Sequence, residues 1–569
     1  MSDPDPSRTE VSEIDETAAP GGGASHGGTT GGFLGWIEKV GNRLPDPATL
    51  FLIGTIGIMG LSAIAVALDW SVTHELPKVT PGSDEVVWEV QYVTETVALE
   101  DGTTEEREVP KVSRPTSLLT ADGIYWLLKS LVDNFMGFPP LGIVLVGMIG
   151  IGLAERVGLV AVLLKYLMLL VPRALLTPAM VFLGIMSSMG IDAGYVVLPP
   201  LAAMLYRAVG RSPMAGIAAV FAGVAAGFNA NLFITGLDPM LAGFTQEGAN
   251  VLDPDYLVAA TCNWWFAIAS TFVMTLAGWF TTSLFVERRF KRAAPEDGGP
   301  VPISKEELEA QEITGAEKNA LGWAVGALFL VLGIVVASVL VEGWALNGTD
   351  GPFEKWVGRI VPILFFCFTV PSLVYGVRIK AIRNDKDAAK MMVEAIAAMA
   401  PIIVLAFFAA QFIECFKYSG LDRMAALAGG QALGKAELDT GILIVAFIAV
   451  TIGFNLFVGS MSAKYAMFAP IFVPMFMLVG ISPELTQAAY RIGDSVSNII
   501  TPLNAYLIIV LVFMRQVMPK AGMGTLIATM LPYTIVFAIV WTALILGWVE
   551  MGWPLGPGET GPLTYDPLK

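Results

Sequence analysis

One segment of this chain occurs twice, and both copies lie inside apolar sequence. Residues 463–493 align with residues 193–223 without a gap, and ten of the aligned positions are identical, Gly223 and Gly493 among them. Duplicated halves whose apolar segments are interrupted by Gly and Pro are typical of secondary transporters, and the interruptions mark the binding site. The repeat therefore predicts an all-α, polytopic membrane protein that moves a small solute.

The composition agrees with this class and argues against several others. Hydrophobic residues make up 55% of the chain and charged residues 15%, against roughly 25% charged in soluble domains. The net charge of −16 argues against nucleic acid as a partner, because neutralising phosphates requires clustered Lys and Arg. Two His and three Cys, the latter in apolar segments, predict neither a metal centre nor a disulfide framework. The sequence shows no P-loop and no nucleophile–base set in the repeats, so we expect no enzyme.

Long apolar runs predict about nine membrane spans, since a span requires roughly 20 residues. We therefore expect a multi-pass protein of the inner (cytoplasmic) membrane, in contact with the lipid bilayer. Residues 157–171 form a further apolar run that is either a span or an interfacial helix. The other runs that we assign to spans cover residues 48–68, 124–153, 214–243, 256–285, 320–341, 361–375, 395–415, 483–514 and 525–549.

Two further pairs of apolar arms predict re-entrant helical hairpins, because backbone of this kind is tolerated at membrane depth only where protein or water covers it. The first hairpin covers about residues 177–207, with its tip at residues 187–192. The second covers about residues 441–480, with its tip at residues 459–464. Lys and Arg near the ends of spans mark the cytoplasmic side and place the N-terminus there. The first hairpin then enters from the cytoplasm and the second from outside, so the repeats are inverted.

The chain divides into five segments: a disordered tail at residues 1–32, a first membrane half at residues 33–285, a cytoplasmic linker at residues 286–317, a second membrane half at residues 318–550 and a C-terminal tail at residues 551–569. Within the first half, acidic side chains outnumber basic ones in residues 70–118. The strand-like pattern of residues 86–99, followed by a turn at residues 100–103, predicts a small β excursion outside the membrane.

Few charged side chains occur inside the apolar repeats, and each costs at least about 3 kcal/mol at the bilayer centre. We identify them as Asp192, Lys464, Arg491 and Asp494. Arg491 and Asp494 share a helix face because they are three residues apart. They form either a structural ion pair or a substrate site, in which Arg491 binds a carboxylate while Asp494 orients the substrate or binds a cation.

The hairpin tips supply further candidates. Asp192 is a lone carboxylate at the first tip, where the second copy has Ser462. It suits a cation or proton site, or it caps the helix that begins at Ala193, and both roles can coexist. Ser460 and Ser462 are likewise helix caps as well as candidate substrate ligands. Tyr465 either stacks on a substrate ring or anchors the chain at the membrane interface.

Two polar interruptions, one in each half, are candidate cation sites. Pro502 removes a backbone donor and frees carbonyls upstream. Those carbonyls, with Asn498 and Thr501, are hard oxygen ligands of the kind that Na⁺ takes in broken helices. Asn229 and Asn231 interrupt the first half at nearly the same place, although an Asn in a bundle often forms only a helix–helix hydrogen bond.

At these residues the sequence resembles the aminobenzoyl-glutamate transporter (AbgT) family, over roughly residues 33–550. The segments that carry the resemblance are Gly-Asn-Arg-Leu-Pro-Asp-Pro at residues 41–47, Gly-Ile-Asp-Ala-Gly-Tyr at residues 190–195, and residues 462–466, 483–495 and 498–502. The resemblance implies homodimers of nine-span subunits, each with an inner dimerising scaffold and an outer transport core. It implies roles in transport for Asp192, Ser462, Pro483, Arg491, Asp494 and Pro502. Where the family often has Trp after Ser-Ala-Lys, this chain has Tyr465.

The residues and the resemblance together predict a secondary transporter of p-aminobenzoyl-glutamate, a small anionic solute, driven by an ion gradient. Na⁺ or H⁺ is the expected coupling ion, and no other cofactor is expected. Within transport, the alternatives are efflux of sulfonamide antimetabolites and uptake of dicarboxylates. Outside it, the alternative is an ion channel, which would show no exchange of labelled substrate.

Overall fold

The structure, a computed structural model, describes residues 45–79, 86–98, 104–190, 193–302, 313–350, 353–501, 503–504 and 506–567. Most of this part of the chain is helical. The predicted N-terminal tail and the predicted turn at residues 100–103 lie outside the described residues, and so do Asp192 and Pro502.

The first half begins with a helix whose start is set by local sequence. Asp46 caps this helix by accepting a hydrogen bond from the backbone N of Ala48 at 2.9 Å, and Pro47 suits the first helical position. The helices described in this half are α1 (Pro47–Ala67), α2 (Ala121–Met136), α3 (Pro139–Arg156), α4 (Leu159–Leu169), α5 (Leu176–Met186), α6 (Ala193–Ala208), α7 (Pro213–Phe221), α8 (Leu237–Ala249) and α9 (Trp264–Phe290).

The second half begins with a capping box, in which Thr314 and Glu317 satisfy each other's backbone N–H groups. The helices described in this half are α10 (Gly315–Leu340), α11 (Ile360–Arg378), α12 (Asp385–Ala398), α13 (Ala400–Ser419), α14 (Leu421–Lys435), α15 (Thr440–Asn455), α16 (Met461–Met477), α17 (Pro483–Ser497), α18 (Tyr506–Val517) and α19 (Met523–Glu550).

Six of the described helices are long and apolar enough to cross a membrane, namely α1, α9, α10, α11, α13 and α19. Helix α4, in the apolar run at residues 157–171, is bent by 61° from the end of α3. The predicted boundaries of α9 are wrong at both ends. It begins at Trp264 rather than at residue 256, and a π turn at Thr282–Val286 carries it to Phe290, beyond the predicted start of the linker.

The acidic segment between α1 and α2 forms three antiparallel pairs of strands. They are β1 (Val72–Thr73) with β6 (Val112–Ser113), β2 (Glu75–Val79) with β3 (Val86–Val90) and β4 (Tyr92–Ala98) with β5 (Thr104–Pro110). The predicted single strand at residues 86–99 is two strands, because β3 pairs back with β2 whereas β4 pairs forward with β5. Gln431 on α14 donates to the backbone O of Thr73 at 2.7 Å and so holds this excursion against the helices. A separate antiparallel pair in the second half consists of β7 (Thr349–Asp350) and β8 (Phe353–Glu354).

Two glycines that are identical in the repeat allow very close packing. A Cβ atom on Gly223, in the turn that follows α7, would lie 2.2 Å from the backbone O of Val181 on α5. A Cβ atom on Gly493, on α17, would lie 2.6 Å from Cβ of Thr451 on α15. In each half, the helix after the hairpin therefore packs directly against the first arm of that hairpin.

Two serines that are identical in the repeat bind the segments that follow the last long helix of each half. Ser212 Oγ donates to the backbone O of Gly298 at 2.6 Å, beyond the end of α9. Ser482 Oγ donates to the backbone O of Pro562 at 2.6 Å, beyond the end of α19. Both side chains also accept a hydrogen bond from the first turn of the helix that they cap. The two halves thus end in the same way, although residues 298 and 562 lie outside the repeat.

Candidate functional site

A cavity of about 190 Å³ lies where the tips of the two hairpins meet the broken helix of the first half. Ser188 lines it from the first tip and Ser462 from the second. The other lining residues are Met148, Ile151, Phe228, Gly236, Leu237, Met240, Met399, Ile402 and Met461. The wall is therefore mostly apolar, with one hydroxyl from each hairpin.

A second cavity of about 140 Å³ adjoins the first, since Phe228 and Met461 line both. It reaches the break between α17 and α18, where Asn498 and Asn504 line it. Tyr195 and Tyr506 complete its wall and stack on each other, with ring centroids 4.0 Å apart. The two cavities together connect both hairpin tips with both helix breaks.

Helix α17 carries Glu484, Arg491 and Asp494, and all of its side chains are buried. The ion pair expected as one alternative between Arg491 and Asp494 is wrong, because each residue pairs with a different element. Arg491 Nη2 lies 2.7 Å from Asp238 Oδ1, and Asp494 Oδ1 lies 2.6 Å from Lys464 Nζ. The helix is thus connected by charge to α8 on one side and to α16 on the other.

The Arg491 guanidinium leaves part of its hydrogen-bonding capacity unused. Its partner Asp238 lies in the first turn of α8 and is held in place by Thr235, whose N and Oγ1 donate to Asp238 Oδ2 at 2.7 and 2.9 Å. Arg491 Nε finds no acceptor among the described residues. Because a guanidinium presents five donors in a fork, this arginine could bind a second anion or exchange one carboxylate for another.

Lys464 occupies the position that a cation would take beside Asp494. Its Nζ donates to Asn455 Oδ1 as well as contacting Asp494, and the whole group is buried. The Asn455 amide donates in turn to the backbone O of Asp494 at 2.7 Å and to Asn498 Oδ1 at 2.9 Å. No donor of the described chain makes a well-aligned hydrogen bond to either carboxylate oxygen of Asp494. These oxygens are therefore in ion-pair contact and keep their capacity as cation ligands.

The two asparagines of the first break contact other parts of the site. Asn229 Nδ2 donates to the backbone O of Arg491 at 3.2 Å and to Ser495 Oγ at 2.8 Å. Asn231 Nδ2 donates to Ser188 Oγ at 2.5 Å. The Oδ1 atoms of both asparagines are buried and accept no hydrogen bond from the described residues. Buried acceptors without a donor require an explanation, and an ion or a water molecule would satisfy them.

Tyr465 is fully buried, which excludes the interpretation that it anchors the chain at the membrane interface. Its hydroxyl lies 2.7 Å from Thr245 Oγ1, and its ring stacks on Tyr490 with centroids 4.2 Å apart. Tyr490 donates to the backbone O of Met461 at 2.6 Å and so supports the second tip. Neither cavity is lined by Tyr465, so the residue supports the site from behind its wall.

The remaining predicted residues lie at different distances from the cavities. Ser460 accepts from the N of Ala463 at 3.4 Å as a helix cap. Thr501 Oγ1 lies 3.5 Å from the backbone O of Leu456, beside the second tip. Pro483 begins α17 and is eight residues from Arg491, about 12 Å along the helix. The structure therefore brings most predicted residues together but leaves Pro483 at the other end of α17.

Sequence reasoning missed three residues of this region: Asp238, Asn455 and Glu484. Glu484 belongs to the second repeat, is buried, and accepts a hydrogen bond from the Tyr256 hydroxyl at 2.9 Å. The signal that singled out Asp494, a carboxylate in an apolar segment, would also have found Asp238 and Glu484. Asn455 ends an apolar helical arm, and its sequence context carries no comparable signal.

The described residues combine six helices long enough to cross a membrane with two adjoining cavities that border both helix breaks. The model of the AbgT putative transporter family matches residues 32–563, and the chain belongs to that family. The p-aminobenzoyl-glutamate transport protein of Escherichia coli (strain K12) is 32% identical over 533 residues, which make up 93% of this chain and 97% of that protein.

Two solved structures are similar to this fold. The YdaH transporter of Alcanivorax borkumensis is 38% identical, with a TM-score of 0.78, over 90% of this chain and 100% of that one. MtrF of Neisseria gonorrhoeae, from a class of antimetabolite efflux pumps, is 37% identical, with a TM-score of 0.80, over 93% of this chain and 100% of that one.

Proposed function

We propose that this chain is a secondary transporter that carries p-aminobenzoyl-glutamate across the membrane by alternating access, driven by an ion gradient. The observation that carries the proposal is an apolar cavity between two hairpin tips, with a buried arginine directly behind its wall. The apolar wall suits an aromatic ring, and the arginine suits the carboxylates of a glutamate moiety. The similarity to the Escherichia coli p-aminobenzoyl-glutamate transport protein supports the same substrate.

The substrate carboxylate would compete with Asp238 for the Arg491 guanidinium. Asp238 follows Leu237, which lines the cavity, so the ion pair is attached to a helix that forms part of the wall. Ser462 faces the cavity and binds the substrate directly, whereas Ser460 lies 3.3 Å from Ser462 and orients it. In the same proposal, Tyr465 and Pro483 support this site from outside the cavity, and Pro502 is a further residue that takes part in substrate binding.

The proposed coupling site lies around Asp494. A cation that binds there displaces the Lys464 ammonium from the carboxylate, because both carry the same charge and use the same oxygens. Its further ligands in this proposal are Asp192, Asn229, Asn231, Asn498 and Thr501. The unpartnered buried Oδ1 atoms of Asn229 and Asn231 support oxygen ligation of Na⁺, and the carboxylates suit H⁺ equally.

This mechanism allows either direction of transport, since the same cavity can serve uptake and export. The similarity to MtrF supports a second candidate function, efflux of sulfonamide antimetabolites through the same cavity. Sulfonamides share the aromatic amine of p-aminobenzoyl-glutamate but lack the glutamate carboxylates. A site that exports them would therefore depend less on Arg491.

The proposed setting is a homodimer in the inner membrane, with nine spans in each subunit and a cytoplasmic N-terminus. The six long apolar helices account for six of these spans, and the proposal assigns the other three to the broken pairs α2–α3, α7–α8 and α17–α18. Only 17% of the apolar stretch of α10 is buried within the subunit, so this helix offers a surface for lipid or a second subunit. Arginines at residues 288, 289 and 292, at the end of α9, support a cytoplasmic position for that end.

Uptake of labelled p-aminobenzoyl-glutamate into proteoliposomes tests the proposal, with imposed Na⁺ or H⁺ gradients. We expect one gradient to drive uptake by the wild type, and Arg491→Ala and Asp192→Ala to abolish it. Arg359→Ala, at an exposed arginine outside both cavities, serves as the matched control and should transport normally. Saturable exchange with unlabelled solute separates a carrier from a channel. Normal transport by Arg491→Ala would remove the arginine from the site.

A further inference from the structure

A polar pocket of about 360 Å³ lies apart from the two cavities, where the β excursion meets the ends of α8 and α13. Its volume falls within the range of small-molecule sites. Under the orientation proposed above, it opens on the outer surface. Its lining residues are Ser113, Arg114, Asn250, Val251, Lys417, Gly420, Asp422 and Arg423, and none of them lines the other two cavities.

The charges of this pocket are mainly positive and only partly compensated. Lys417 forms ion pairs with Glu247 and, at 3.0 Å, with Glu414, so its charge is balanced. Arg114 and Arg423 are both exposed. In the described ranges of the chain, neither guanidinium has a carboxylate within ion-pair distance. Asp422 is the acid among the lining residues, so three cations and one carboxylate face this polar space, and the two forked guanidinium groups have donors left over for a further anion.

Helix α8 connects this pocket with the proposed substrate site. Asp238 in its first turn pairs with Arg491, and Glu247 in its last turn pairs with Lys417. Nine residues separate the two acids, which corresponds to about 14 Å along the helix. The pocket and the candidate substrate site therefore lie at opposite ends of α8.

We propose that this pocket is an outer capture site for carboxylates, which binds the anionic solute before it enters the central cavity. The proposal rests on the proposed function and its orientation. Arg114 and Arg423 would each offer forked donors to a carboxylate, and the Asn250 amide would bind the amide of the solute. Capture by cations in an outer mouth raises the local concentration of an anion and its rate of entry.

Neighbouring titratable groups indicate a positive potential at this place. Burial, followed by the charges of Arg423 and Lys111, lowers the pKa of His74 to about 4. His74 lies beside the pocket, since its Nε2 is 2.7 Å from Ser113 Oγ. This histidine therefore stays neutral at physiological pH, and the arginines carry the positive charge that faces the pocket.

Sidedness of transport distinguishes a capture site from a structural role. In proteoliposomes of uniform orientation, we expect Arg114→Gln/Arg423→Gln to raise KM at least about tenfold for solute added at the outer face, because the charged donors to the carboxylates are lost. The maximal rate, and KM for solute added at the inner face, should stay at the wild-type values. Arg359→Gln is the matched control. Arg114→Lys/Arg423→Lys should bring KM at the outer face part of the way back to the wild-type value, because it keeps the positive charges.

Binding to the purified full chain in nanodiscs provides a test that does not depend on transport. In an Arg491→Gln background, calorimetric titration with p-aminobenzoyl-glutamate or L-glutamate should reveal one remaining site, which Arg114→Gln/Arg423→Gln removes. Equal changes of KM at both faces, or residual binding that survives this double substitution, would overturn the capture site. A wild type that binds L-glutamate in the pocket but transports no p-aminobenzoyl-glutamate would overturn the proposed function and leave the capture site standing.

Discussion

The two copies of the repeat share their backbone plan and differ in their chemistry. Both α7 and α17 begin at a proline behind a capping serine and use a glycine to pack against the hairpin. Where α17 has Arg491 and Asp494, the aligned positions of the first copy hold Phe221 and Val224. The identical positions include the serine, proline and glycine that shape the backbone, whereas the charges of Arg491 and Asp494 occur in one copy alone.

The first copy is nevertheless part of the site, because it contacts the charged helix of the second. Asn229, just beyond the first copy, donates to the backbone of Arg491 and to the side chain of Ser495. The apolar copy thus supplies packing and amide donors, while the polar copy supplies the ions. This division of roles can be broken or sharpened by substitutions made in matched pairs.

The largest effect is expected at the buried arginine. Arg491→Gln leaves Asp238 without its partner, and breaking a buried pair costs about 3–5 kcal/mol. We expect transport to fall at least about 100-fold, which corresponds to about 2.7 kcal/mol, and the melting temperature to drop. Phe221→Leu, at the aligned position of the first copy, should transport within about twofold of the wild type because it removes no charge. Arg491→Leu/Asp238→Leu should recover the melting temperature but no transport, and recovery of both would make the pair purely structural.

A second large effect is expected at Lys464. Lys464→Met leaves Asp494 without its ammonium partner, so that a cation from solution no longer has to displace one. We expect the half-saturating concentration of the coupling cation to fall about tenfold and the transport rate to drop, as measured by uptake against cation concentration. The exposed Lys520→Met is the control. An unchanged cation dependence would separate Lys464 from coupling.

A moderate effect is expected at the glycines that the two copies share. Gly223→Ala and Gly493→Ala each place a Cβ atom within 2.6 Å of a neighbouring helix, and overpacking of this kind costs about 1–3 kcal/mol. Both variants should lower the melting temperature by similar amounts in a thermal unfolding assay. Gly453→Ala, where a Cβ meets no atom within 4 Å, should not lower it. A lower melting temperature for only one of the two glycine variants would show that the copies differ in packing as well as in charge.

A smaller effect is expected at the shared serines. Ser212→Ala and Ser482→Ala each remove a helix cap, at about 1 kcal/mol. Only Ser482→Ala also releases the segment after α19, through the loss of its hydrogen bond to Pro562. Limited proteolysis in that segment should therefore accelerate for Ser482→Ala and not for Ser212→Ala. Equal cleavage of both variants would mean that other contacts hold the segment.

The smallest effect concerns the polar pocket beside the β excursion and depends on pH. Burial raises the pKa of Asp422 to about 6, and its carboxylate faces the cations Lys417, Arg423 and Arg114. Because the pKa in the folded state lies above the ordinary value of 3.8, ionisation disfavours the folded state, and stability is lost as pH rises from about 4 to 6. Asp422→Asn should therefore raise the melting temperature at pH 8 and bind L-glutamate about two- to threefold tighter there.

Below about pH 4, Asp422→Asn and the wild type should melt together, since the wild-type carboxyl is then largely protonated in both the folded and the unfolded state. Binding of L-glutamate should already be alike below about pH 5, where the carboxyl of the folded protein is mostly neutral. A difference that persists at low pH would assign the effect to a cause other than this charge.

Much of the fold was predictable because it depends on local pattern. The apolar runs located the long helices, and the polar interruptions at Asn229–Asn231 and Asn498 located the two helix breaks, since a short break in an apolar run leaves a local signal. The strand pattern at residues 86–99 identified β structure but not the change of partner between β3 and β4. Register depends on which strand lies opposite, and the sequence of one strand does not contain that information.

The partners within the site were not predictable in the same way. Arg491 pairs with Asp238, which lies 253 positions earlier and outside the repeat, so neither helical spacing nor the alignment of copies points to it. Spacing suggested Asp494 instead, because residues three apart share a face, but each side chain is directed to a different neighbouring helix. Tyr465 is a similar case, because an aromatic residue near a hairpin tip looks the same in sequence whether it lies at an interface or in the core.

The contacts of the two shared serines also bear on the order in which the molecule is assembled during synthesis. Gly298, the partner of Ser212, is made before any helix of the second half, so the first copy can complete its cap early. Pro562, the partner of Ser482, follows α19, so the second copy waits until every described helix has left the ribosome. The contact between the start of α17 and the C-terminal segment can therefore form only after the first half has been made.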